Sequence, residues 1–201
     1  MAAVVLLAGL ALTACSPTKA GNAAIVGDES LSEATLTSLA KQVRDVATKA
    51  QIQVPQADAL NQRIIAVWVD EQLTQALADK LHADVTATQV DSLLGQFQAD
   101  QLAQIQVSSG IPTTMLRGAA EAAVLRQAIV HALAPNAGQQ QQQVLLARAY
   151  ALIAQQVGVS VNPRFGSWNG QTAQVDASLD VLSQPAKGSS TTSATPAVPQ
   201  P

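Results

Sequence analysis

The sequence predicts a mainly α-helical fold: about five helices, with a small β element formed by short strands near the two ends of the core. Three observations point there. Ala (38) and Gln (25) dominate the 201 residues, and both favour helix. Aromatic residues make up only 2%, which leaves little of the material a β-sandwich needs. Apolar residues recur at spacings of three and four through several long segments, the mark of one buried helix face.

The elements follow in order. Ala23 to Val26 is a short apolar stretch, and Gly27-Asp28 permits a tight reversal after it. Ser32 is placed to cap a first helix, whose apolar face is Leu36, Leu39, Val43 and Val46. Pro55 breaks the chain. Asp58 to Leu81 is the strongest helix, with a stripe wide enough to be touched on two sides. Thr86 and Gln89 have the spacing of a capping box. They open a third helix through Val90, Leu93, Leu94, Phe97, Leu102 and Ile105. Ser108 to Pro112 reads as a turn, and a fourth helix runs from Met115 to Leu133. The Pro135-to-Gly138 segment stops it. A fifth helix begins in the glutamine run 139–143 and ends at Gly158. Val159 to Val161 alternates as a strand, Asn162 to Gly166 turns the chain, and an extended stretch follows to Gly170.

Composition excludes several function classes. A formal net charge of −3 gives no basic footprint for nucleic acid. One Cys excludes an internal disulfide or a CxxC pair, and two His leave little for a metal site. No metal and no cofactor is expected. The chain also lacks GxSxG, HExxH, a P-loop and GxGxxG.

The first residues read as an address. Ala2 to Leu12 is an apolar run, too short to cross a hydrocarbon core of about 30 Å but suited to a signal-peptide core. It leads into Leu12-Thr13-Ala14-Cys15, which resembles the lipobox of bacterial lipoproteins. The resemblance implies a signal peptide over residues 1–14 and a diacylglyceryl lipid on Cys15. It implies anchoring to the outer side of the cell membrane without a span. It departs from the usual pattern in one respect: no Lys or Arg occurs before Lys19. Residues 15–22 then form a lipidated tether. Residues 183–201, rich in Pro, Ser and Thr, form a tail with too little apolar surface to offset its ordering entropy. The core is expected over residues 23–182.

The order of the pieces carries a further resemblance. Ala24-Ile25-Val26-Gly27-Asp28-Glu29-Ser30-Leu31-Ser32 resembles the opening of the SurA/PrsA family of extracytoplasmic chaperones: strand, tight turn, apolar residue, hydroxyl cap. Ile64 to Leu73 is similar to the family's second helix, and Lys80 to Thr86 to its exit, with His82 where the family often has Gly. Ser108 to Leu116 and Gly158 to Gly166 match its later turn and its closing segment. The parvulin-type isomerase domain that many members insert is missing. Pro135 to Gln143 fills its place, and the paired-His pocket of that domain has no counterpart. The resemblance implies a SurA N-terminal-like chaperone core alone. It would act without catalysis and hold unfolded or newly exported polypeptides by apolar contact.

His82 and His131 stand near helix ends, where a cation suits the dipole. Asp70-Glu71 reads as a solvated pair, since adjacent residues do not face each other on a helix. Trp68, Phe97 and Met115 lie at helical spacing, which suits a core. The alternative makes them, with Leu116, the candidate client-binding residues, because soft and flat side chains suit a promiscuous surface. Arg164 is expected to stack on Trp168. The competing reading of the whole chain is a lipoprotein scaffold that docks one folded envelope partner.

Overall fold

The computed structural model describes residues 21–176. Cys15, most of the tether, the expected core boundary at residue 182 and the tail lie outside that range.

Strand β1 (Asn22–Val26) turns through Gly27 and Asp28 into β2 (Glu29–Ser32). Gly27 has φ +59°, the left-handed geometry a tight reversal requires. β3 (Val159–Val161) returns antiparallel on the other side of β1, giving the order β2-β1-β3. The strand that opens the described chain is therefore joined by backbone hydrogen bonds to the strand that follows its last helix. Asn162 strengthens the join: its amide donates to the Asn22 carbonyl at 3.2 Å and to Glu33 Oε1 at 3.3 Å.

Helix α1 (Glu33–Ala50) starts at Ser32, whose hydroxyl accepts from the Thr35 backbone N–H at 3.0 Å. It ends at Gln51 in the left-handed region, and Ile52 N–H donates back to the Ala47 carbonyl. Helix α2 (Ala57–Leu81) is the centre of the molecule and packs on α1, on β1 and on the two helices that follow later in the chain. Its wide stripe is the reason: Leu60, Ile64, Ile65, Val69, Leu73 and Leu77 are all buried. His82 closes it, again left-handed at φ 52°.

The expected third helix is two helices. The Thr86–Gln89 capping box opens α3 (Ala87–Leu94), but Gly95 ends it. Helix α4 (Ala99–Ser109) starts afresh, where Gln101 Oε1 accepts from the Gln98 N–H at 2.9 Å. Glycine is the weakest helix former after proline, and the break lets each half find its own partner. α3 packs on the next long helix, and α4 packs on α1. Gly110 reverses the chain, and a 3₁₀ turn (Thr113–Met115) leads into α5 (Leu116–Leu133). α6 (Gln139–Val157) follows and ends at Gly158. The described residues thus hold six α-helices rather than about five, in the expected mainly α fold with its small β element.

Beyond β3, a hairpin of β4 (Ser167–Asn169) and β5 (Gln174–Asp176) lies against α2. Trp168 and Val175 pack there on the core. The Arg164 guanidinium lies over the Phe165 ring, 5.5 Å from its centroid. That corrects the expected stacking on Trp168, whose ring the hairpin turns toward α2.

Candidate functional site

An apolar groove of about 390 Å³ opens between α2 and α5 on one side and the α3–α4 elbow on the other. Its origin is a mismatch of side-chain size. On α5, the groove wall is Ala119, Ala120, Ala122 and Ala123. Facing it are Leu93 and Leu94 from α3, Phe97 from the elbow, and Leu102 and Ile105 from α4. Methyl groups cannot reach the larger side chains opposite, and the elbow at Gly95 holds the two half-helices apart. The space stays open where protein interiors are normally filled.

Phe97 is 36% exposed at the groove's edge, an unusual place for a large aromatic ring. Leu116, the first residue of α5, also lines the groove. These two of the four candidate residues come together. Trp68 and Met115 do not join them: both are half-buried and pack against the main core. Cys15 lies outside the described residues.

One end of the groove is polar. Asp70 of α2 forms an ion pair with Arg126 of α5, and both line the groove. Glu71, also a lining residue, is half-buried. Its carboxyl is held above the ordinary carboxylate range, first by burial and then by the charges of Glu121 and Asp70. Asp70-Glu71 is therefore not the solvated pair expected. Both face α5, because the helix is crowded on that side as well as on the core side. The carboxyl has room only because residue 118 is glycine: a Cβ there would stand 1.9 Å from Glu71 Oε1.

Behind the ion pair lies a buried polar node. Thr74 is fully buried, and its hydroxyl donates to the Asp70 carbonyl at 2.6 Å. The Tyr150 hydroxyl of α6 is 2.5 Å from the same Thr74 oxygen. Burial, then the Asp70 charge, push the Tyr150 phenol above its ordinary value.

The arrangement can hold an apolar segment and present a carboxylate to it. It holds no nucleophile–base pair. Among the described residues no group of three metal-ligating side chains is gathered, and no helix is long and apolar enough to cross a membrane. His82 ends α2 and His131 lies in the last turn of α5, both exposed.

The groove was partly legible. Leu93, Leu94, Phe97, Leu102 and Ile105 share one apolar periodicity, which by itself predicts the side of a single helix. Gly95 within that run, and four alanines at helical spacing on α5, are the signals for the elbow and the open wall. Compared with known protein families, curated proteins and solved structures, the chain matches none.

Proposed function

We propose that this chain is a lipid-anchored, extracytoplasmic holdase-type chaperone without isomerase activity, tethered through Cys15. The observation that carries the reading is the open apolar groove with Phe97 exposed at its edge. Its size falls within the roughly 300–1,000 Å³ of ordinary ligand pockets. It admits a few side chains, not a folded surface. Burying one Leu-sized side chain contributes about 2 kcal/mol, and association costs at least about 4 kcal/mol. Two or three seated side chains therefore give weak, fast-exchanging binding, which suits a holdase that must release its clients without ATP.

A second reading, a scaffold that docks one folded envelope partner, draws on α6. Val144 and Leu152 are 54% and 59% exposed there, about two turns apart on the helix.

The test is light scattering from a chemically unfolded client as it refolds, with the full chain present and ATP absent. Suppressed aggregation with the chain in large molar excess over the client, weakened by Phe97→Asp, is the expected result. No suppression with several unrelated clients overturns the holdase reading. Stoichiometric capture of one folded protein, sensitive to Leu152→Asp and indifferent to Phe97→Asp, supports the scaffold.

A further inference from the structure

The charges along the groove do not balance. Asp70 is paired with Arg126, and Arg117 is paired with Asp91 at 2.5 Å. Glu71 takes part in no ion pair or side-chain hydrogen bond among the described residues, yet it lines the groove and is half-buried. The charges that act on it, Glu121 and Asp70, are of its own sign, and the Arg126 guanidinium of the groove is paired with Asp70. An ionised carboxylate in such a place is short of both water and counter-charge. A cation entering the groove supplies the counter-charge.

We infer that the groove selects apolar polypeptide segments carrying a lysine or arginine, whose side chain reaches Glu71 while the flanking apolar residues seat against Leu94, Phe97 and Ile105. This rests on the holdase reading of the same groove and names its client class. The long, flexible stems of Lys and Arg suit the geometry. They lie along apolar surface and carry the charge to a distant carboxylate. An apolar segment with an acidic residue is disfavoured, since it adds a charge of the same sign as Glu71, Asp70 and Glu121. Exported polypeptides rich in apolar residues with interspersed basic ones fit; acidic ones do not.

Short Leu-rich peptides that differ only at a central Lys, norleucine or Glu, labelled with a fluorophore, report this by anisotropy with the full chain. The Lys peptide is expected to bind about fivefold tighter than the norleucine peptide, the scale of one partly exposed ion pair. The Glu peptide is expected to bind weakest. The Lys-to-norleucine ratio falls toward one in Glu71→Gln and in high salt. Equal binding of the Lys and norleucine peptides to the unsubstituted chain overturns the charge selection and leaves the apolar groove reading standing. A Lys preference that survives Glu71→Gln overturns the assignment to Glu71. If no peptide binds, or if Phe97→Asp leaves all three affinities unaltered, the groove reading falls and this inference with it.

Discussion

The Tyr150 hydroxyl of α6 lies 2.5 Å from the Thr74 hydroxyl of α2, in the interior between the two helices. Thr74 spends its proton on the Asp70 carbonyl, so Tyr150 is the donor in this pair. Asp70 in turn pairs through its side chain with Arg126 of α5. A single polar chain thus links three helices at the end of the groove, and no buried side-chain polar atom among the described residues lacks a partner.

Tyr150→Phe removes one buried hydrogen bond and is expected to cost about 1 kcal/mol, since Thr74 keeps its bond to the Asp70 carbonyl. Thr74→Val strands the buried phenol and is expected to cost more, about 1–3 kcal/mol. The double substitution removes both partners, so its cost is expected to fall below the sum of the two. Urea unfolding of the three variants measures this. Strict additivity would show that the pair contributes nothing as a pair.

Two glycines predict opposite outcomes for the same substitution. Gly110 has φ +71°, and an added Cβ would stand 2.6 Å from Arg63 Cβ and 3.3 Å from backbone atoms of Arg63 and Ile64. Nothing there can swing aside, and the left-handed backbone adds its own strain. Gly110→Ala is expected to cost about 2–4 kcal/mol. At Gly118 the obstacle is the Glu71 carboxyl, the free end of a flexible side chain. Gly118→Ala therefore gains helix propensity of up to about 1 kcal/mol while displacing Glu71. Thermal melts separate the two. A large loss at Gly118, or none at Gly110, contradicts the packing described.

Local signals in the sequence suffice where a single side chain decides the matter. Ser32, Thr86 with Gln89, Gly27 and Gly158 each mark an element boundary through a bond or a dihedral that the residue type itself supplies. The failures lie where the outcome depends on what stands opposite. The run from Val90 to Ile105 has one apolar periodicity; Gly95 marks where it breaks, but not that α5 and α1 take its two halves. Asp70 and Glu71 looked solvated because their own helix says nothing of α5. The groove depends on alanines on α5 meeting leucines on α3 and α4, a relation between segments far apart in sequence. Trp68 and Met115 were indistinguishable from Phe97 and Leu116 by spacing; only tertiary packing separates core from groove.

His82 occupies a left-handed position at the end of α2, and Gln51 occupies its counterpart on α1. In both, the next N–H donates back to a carbonyl of the last turn: Ala83 to Ala78, and Ile52 to Ala47. This is a helix stop that favours glycine. His82→Gly relieves the side-chain strain but frees the unfolded chain, leaving a net gain of about 0.5–1 kcal/mol. Gln51→Gly is expected to behave alike. Because the His82 imidazole is exposed and ends the helix by its backbone, His82→Gly should leave client holding unaltered. Loss of holding in this variant would return His82 to the functional residues.

The last prediction turns on the sign of the Glu71 shift. In the unfolded chain Glu71 titrates near its ordinary 4.5; in the folded protein burial, Glu121 and Asp70 raise it. The folded state therefore holds the proton more tightly. The stabilisation this gives is fully present below the ordinary value and is lost as pH rises through the raised one. Above that range the ionised carboxylate works against folding, while the neighbouring Asp70–Arg126 pair is retained. Glu71→Gln keeps the shape and stays neutral. It is expected to melt above the unsubstituted chain at neutral pH, with the gap closing as pH falls through the raised value and gone below the ordinary one. Glu121→Gln, which removes only the second cause, should shift the closing point toward lower pH. A gap that stays constant with pH would mean that Glu71 is not held above its ordinary value. Its role as the unbalanced charge of the groove would then lose its electrostatic basis.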